Sequence, residues 1–200
     1  MDTLNYIIKR YDLKLEETPS PVKILESRWY GMGPLFKDLG FKKGVEVGVY
    51  KGQFSAALCK GCPELELIGV DAWTVYGNYR DYETTDLESE AYKEALARTA
   101  GCNVRFIKAL SMDAVKEFAD ESLDFVFIDA NHDYEYVVED IAAWSKKVHP
   151  GGLVIGHDYC RNTEFNFGVI EAVDGWCRTH NISPLFIWKD QCPSWMYVKK

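Results

Sequence analysis

The run from Gly44 to Lys60, GVEVGVYKGQFSAALCK, constrains the fold more than any other stretch. Val45, Val47 and Val49 suit a buried strand, Gly48 and Gly52 permit positive φ or a close backbone approach, and Phe54, Ala57 and Leu58 resume at helical spacing. Gly61 is read as the stop of that helix. A strand that turns on glycines into a helix can grip a ligand with backbone N–H groups. The dinucleotide version of the turn is G-x-G-x-x-G, which seats pyrophosphate on the helix N-terminus. Here the pattern is Glu46-x-Gly48-x-x-x-Gly52. A carboxylate in place of the first glycine repels pyrophosphate and favours a cationic ligand, or one that offers donors.

The chain's 200 residues fit one domain, long enough to bury roughly 70% of its unfolded surface. Six cysteines at 59, 62, 102, 160, 177 and 192 show no paired spacing, so no disulfide framework is expected. Cys59-x-x-Cys62 has no second such pair and stands before Pro63, so both are read as idle buried thiols. Met1 to Arg10 lacks the apolar core of a signal peptide, and apolar runs stop at four or five residues, well short of the ~20 that span a bilayer. A cytoplasmic protein with no membrane partner is expected. The net charge of −8, without a Lys/Arg cluster, argues against a nucleic-acid partner and for a small neutral or cationic molecule.

Met1 to Glu17 puts Leu4, Ile8, Tyr11 and Leu15 on one helical stripe, and Arg28 to Pro34 reads as a loop before a short helix that ends at Leu39. Residues 1–43 are therefore expected to form a helical lid or packing segment, with room for an exchange across a homodimer, and 44–200 a ligand-binding domain. From Gly44 onward strands and helices alternate, which predicts an α/β fold: a parallel sheet covered by helices on both faces. Expected strands are Leu65–Val70, Val104–Lys108, Leu123–Ile128, Leu153–Gly156, Leu185–Trp188 and Ser194–Val198. Ligands bind such sheets at the carboxyl ends of the strands. There stand Asp71, Ser111, Asp129-Ala130-Asn131-His132 and His157-Asp158. Asp71 is suited to accept the two hydroxyls of a ribose. Ser111 suits either an adenine edge or a plain helix cap. The aromatic loop from Trp73 to Thr84 and the Trp29-Tyr30 pair are expected above the same rim, where apolar loop residues often line a pocket.

The Glu46-Gly48-Gly52 pattern resembles motif I of the class I S-adenosylmethionine (SAM) methyltransferases. FVFIDANHDYEYVVEDIAAW, followed by PGGLVIGHDY, resembles the macrocin and sugar O-methyltransferase subfamily, the methyltransferase family 24 type. The resemblance implies a Rossmann-like seven-stranded sheet, mostly parallel, with its last strand antiparallel. It also implies a SAM site at Glu46, Gly48, Tyr50, Gly52, Asp71, Ala72, Trp73, Ser111 and Asp129. For catalysis it implies His132 as the base, with Asp129, His157 and Asp158 around the acceptor hydroxyl, and a metal between Asp129 and Asp158. His157 stands where the subfamily has an acid, which leaves magnesium, another divalent ion or a metal-free site open. The expected activity is methyl transfer from SAM to a hydroxyl of a sugar, polyol or aromatic acceptor. The alternatives are a nicotinamide-dependent Rossmann oxidoreductase and a noncatalytic SAM-binding domain.

Overall fold

The computed structural model describes residues 2–17, 19–74, 85–161 and 167–200, with backbone alone for 85–89. The chain runs α1 (Thr3–Arg10), β1 (Val22–Ile24), α2 (Arg28–Leu39), β2 (Lys43–Val47), α3 (Gln53–Gly61), β3 (Glu66–Asp71), α4 (Thr85–Arg98) and β4 (Val104–Lys108). It continues as α5 (Ser111–Ala114), a 3-10 turn (Val115–Glu117), β5 (Leu123–Ile128), α6 (Tyr134–Trp144), β6 (Val148–Gly156), α7 (Val169–Thr179), β7 (Phe186–Trp188) and β8 (Trp195–Val198). The eight strands form one sheet in the order β1-β7-β8-β6-β5-β2-β3-β4. All pairings are parallel except those of β8, which lies antiparallel between β6 and β7. The α/β expectation and the antiparallel last strand hold.

Strand β5 explains why the sheet is covered on both sides. Its apolar run is continuous, so Phe125 and Phe127 face one layer while Val126 and Ile128 face the other, and all four are buried. The first layer is α1, α2 and α3, which bring Ile7, Met32, Leu35, Phe36, Phe54 and Leu58 onto the Phe125 side. The second is α5, α6 and α7, with Ala114, Val137, Ile141, Trp144 and Val173 against Val45, Val47 and Val126.

Residues 1–43 carry an element that was not expected. Residues 1–43 are part of the same body, because β1 pairs with β7 (Val22 opposite Phe186) and extends the expected seven strands to eight. Helix α1 stops at Arg10 rather than Glu17 and buries Thr3 and Ile7, with Leu4, Tyr11 and Leu15 at the margin of the core. Arg28 to Pro34 is the first half of α2 rather than a loop. The Ser27 hydroxyl caps that helix by accepting the Trp29 N–H at 3.3 Å, and Gly40 ends it at φ 75°. Helix α2 lies against α3 where two glycines meet: a Cβ on Gly33 would stand 2.7 Å from the Gly61 Cα. Gly61 is thus the last residue of α3, kept small by that approach, and does not serve as a left-handed stop. Strand β6 begins at Val148, so His149 to Gly152 belong to it.

The expectation of no disulfide is also corrected. Cys160 and Cys192 are bonded, while Cys59, Cys62, Cys102 and Cys177 are free. The pair is set by tertiary approach, since the loop after β6 meets the segment before β8, where the Tyr159 N–H donates to the Pro193 carbonyl at 2.9 Å. No helix among the described residues is long and apolar enough to cross a membrane.

Candidate active site

Chain order leaves β2 in two directions: β3 and β4 build outward on one side, and β5 begins the other. Ligand crevices in open α/β sheets form at such a switch point. The turn after β2 is tied to both neighbours. The Gly48 N–H donates to the Val70 carbonyl at 2.8 Å, and the Asp129 N–H donates to the Val47 carbonyl at 2.7 Å. Gly48 has φ 90°, and a Cβ there would fall 1.9 Å from the Asp129 carbonyl oxygen. Only glycine fits, and the constraint is the β5 backbone rather than a ligand.

Asp71, at the end of β3, holds the turn from the other side. Its Oδ2 accepts the N–H groups of Val49 and Tyr50, both at 2.9 Å, and its Oδ1 accepts that of Trp73 at 2.8 Å. Trp73 is fully buried, edge-on to Tyr92 and Phe106, and its indole N–H donates to the Tyr50 carbonyl at 2.9 Å. It is a brace under the turn, and it does not line the cavity. Gly52 also stands behind the turn, with its missing Cβ toward Ala95 of α4. The rest of the expected aromatic loop, residues 75–84, lies outside the described residues.

A cavity of about 380 Å³ opens over the turn, lined by Glu46, Gly48, Tyr50, Asp71, Asp129, His132 and Asp158, and also by Arg28, Trp29, Gln53 and Phe54. A narrow cleft of about 20 Å³, room for one water-sized group, runs beside it along Gly48, Asp71, Ala72 and Ser111. Ser111 is already engaged: its hydroxyl donates to Asp140 and accepts the Trp144 indole N–H at 2.8 Å. Its cap role is not seen either, since α5 is capped by Leu110 without a side-chain bond.

Glu46 is almost fully buried, and burial pushes its carboxyl up to about 8, against the Ser55 hydroxyl that donates to it. Across the cavity the strand ends of β5 and β6 bring four titratable groups together. His132 Nε2 lies 2.8 Å from Asp158 Oδ2 and 3.6 Å from Asp129 Oδ1. The shorter contact lacks the angle of a hydrogen bond, so it is a charge contact. His157 Nδ1 lies 3.1 Å from Asp158 Oδ2 and 3.5 Å from Asp129 Oδ1. Burial opposes charge on His132, but Asp129 and Asp158 outweigh it and lift the imidazole to about 10. Burial, reinforced by Asp158, raises the Asp129 carboxyl. His132 is held in place by Phe167 at 4.7 Å between ring centroids. Asp158 takes positive φ, 56°, which turns its side chain into the cluster.

All four expected strand-end residues therefore meet, and three of them line the cavity. Of the residues the sequence reading missed, Arg28 is the most consequential. The signal was present: once 28–39 is a helix, Arg28 shares a stripe with Met32, Leu35 and Phe36, a charge on an apolar face. Trp29 reaches the rim as expected, while Tyr30 points to solvent.

The fold is shared with an O-methyltransferase from Bacillus cereus solved with S-adenosylhomocysteine (SAH), at TM-score 0.60 and 18% identity over 100% of this chain and 91% of that one. It is shared equally with cofactor-bound Rv0187 from MTB, at TM-score 0.61 and 17% identity over 99% and 90%. The uncharacterized protein R132 of Acanthamoeba polyphaga mimivirus is 25% identical over 119 residues, and the matched part is 58% of this chain and 50% of R132, so the chain spans about half the length of that relative. The family model described as "Methyltransferase domain" (Methyltransf_24) matches residues 45–159, from β2 through the Asp158 turn and more than half of the chain, and the protein belongs to that family.

Proposed function

We propose that this protein is a SAM-dependent O-methyltransferase of a small hydroxylated molecule, a sugar, polyol or aromatic acceptor. One observation carries the reading: a single cavity has the buried Glu46 and the Gly48 turn on one wall and Asp129, His132 and Asp158 on another. A donor gripped by the first wall and a hydroxyl gripped by the second share one space. SAM carries an ammonium, a sulfonium and a carboxylate, and the walls offer carboxylates for the cations and a guanidinium for the anion. The volume of about 380 Å³ falls within the usual range for small-molecule sites. The fold neighbour from Bacillus cereus holds SAH.

SAM supplies the electrophilic methyl group; the chain's own residues orient the partners and move the proton. Glu46 faces the ammonium, and Asp71, whose carboxylate templates the turn and lines the same cavity, faces the ribose. His132 takes the proton of the acceptor hydroxyl at Nε2. Between two carboxylates that nitrogen holds its proton at neutral pH, so it becomes a base when positive charge is brought to Asp129 and Asp158. The sulfonium of SAM brings such charge.

Asp129 and Asp158 would hold a divalent cation between them, while His132, whose ligand atom lies within 4.8 Å of theirs, keeps its Nε2 for the proton. Two carboxylates are hard oxygen ligands, which suit magnesium or manganese. A cation held by these residues would lower the pKa of the acceptor hydroxyl. For location we propose the cytoplasm, where four free thiols are at home and the Cys160–Cys192 bond is the one that would be opened. A homodimer and the absence of nucleic-acid and membrane partners complete the proposal.

The test is calorimetry with SAM and SAH, with and without manganese or magnesium. Saturable binding of both is expected, and no heat from either would sink the SAM reading. For the base, His132→Ala should keep SAH affinity within about threefold while methyl transfer to a hydroxylated acceptor falls by about 10²–10⁴. Undiminished transfer rejects that role.

A further inference from the structure

Arg28 stands alone in its surroundings. The main cavity is lined by four carboxylates, those of Glu46, Asp71, Asp129 and Asp158, and Arg28 contributes a guanidinium to the same wall. The residue is 8% exposed, and its Nε has no hydrogen-bond partner. Its Nη1 makes a contact of only 3.4 Å to the Ser194 hydroxyl. Among the described residues it forms no ion pair within 4.0 Å. The guanidinium lies instead over three rings, 4.9 Å from the centroid of Trp29, 5.0 Å from Phe54 and 5.7 Å from Phe127. Its backbone is fixed from below, because Asp190 accepts both the Ser27 hydroxyl at 2.6 Å and the Arg28 N–H at 3.2 Å.

A buried guanidinium with an idle donor is costly unless something pairs with it. Its planar fork matches a carboxylate in two parallel bonds, and the aromatic bed strips away competing water. A cavity otherwise acidic suits a cationic ligand, and in such a cavity one arginine makes sense where the ligand carries its single anion. SAM and SAH have one such group, the α-carboxylate of the amino-acid portion. Resting on the SAM reading of the cavity, we propose that Arg28 receives that α-carboxylate, beside Glu46, which receives the ammonium. Helix α2 thereby supplies a cofactor-binding residue from outside the segment that matches the family model. The competing role is a plain counter-charge for Glu46 and Asp129, which would act equally on every ligand.

The two roles separate by ligand. Calorimetry would compare three molecules on the wild-type protein: SAH, its decarboxylated analogue that keeps the amine, and 5′-methylthioadenosine, which lacks the whole amino-acid portion. SAH should bind at least about tenfold more tightly than the decarboxylated analogue. In Arg28→Met, SAH should weaken about 10- to 100-fold while the other two change less than about twofold. Arg28→Lys, which keeps charge but loses the fork, should show a smaller loss confined to SAH. Equal losses for all three ligands, or a wild type indifferent to the carboxylate, overturn the proposal and leave the SAM reading standing. A wild type that binds none of the three fails at the earlier step. The wild-type comparison needs no variant to fold.

Discussion

Glu46 shows how one buried side chain links stability, pH and ligand. Its carboxyl is pushed up to about 8 from an ordinary value near 4.5, chiefly by burial. The folded state therefore binds this proton more tightly than the unfolded state. Its contribution is fully present below about pH 4.5 and is lost as the pH climbs through about 8. An ammonium prefers the ionised carboxylate, so SAH affinity should rise about tenfold or more between pH 6 and pH 8. Glu46→Gln should flatten that profile in calorimetry and raise the melting temperature at pH 8 relative to wild type. A profile that keeps its slope in the variant would show that another group governs it. Glu46 was legible in the sequence because it breaks a glycine pattern. Arg28 was not, because nothing local marks a single arginine in a glycine-rich stretch until the helix that carries it is known.

At the scale of elements, α2 decides how well sequence patterns serve. Gly31, Gly33 and Pro34 argue locally for a loop, yet 28–39 is helical because Ser27 caps it and Met32, Leu35 and Phe36 are buried against β5. The glycines are explained by close approach: Gly33 meets Gly61 on α3. Gly33→Val should therefore force the two helices apart and cost about 1–3 kcal/mol, measured by urea denaturation. A similar energy for Gly175→Ala, in open space on α7, would contradict the packing account. Asp190→Ala, which releases the Ser27 cap and the Arg28 N–H, should cost about 1–2 kcal/mol by the same measurement and weaken SAH binding through a displaced Arg28. Strand β1 escaped the sequence reading for a different reason. Three residues, Val22 to Ile24, are too few for a period, and they form a strand because β7 offers an open edge. Strand β5 and the β2 turn were legible because their apolar pattern extends over whole elements.

For the whole molecule, the alternating pattern from residue 44 was enough to indicate a parallel α/β sheet with its site at the strand ends, and the cluster of His132, His157, Asp129 and Asp158 forms there. The disulfide lay beyond reach, since spacing says nothing of two cysteines brought together by separate turns. Reduction with dithiothreitol should lower the melting temperature, with a loss of about 2–4 kcal/mol, and Cys160→Ser should show the same loss without reductant. Cys160 and Cys192 stand 32 positions apart, and the bond makes everything between them, helix α7 and strand β7 included, a covalently closed ring. One backbone cut inside that ring would leave the molecule a single piece. A protease nick between 161 and 191 should run as one band on a denaturing gel without reductant and as two bands with it, so loss of mass alone would not register the damage.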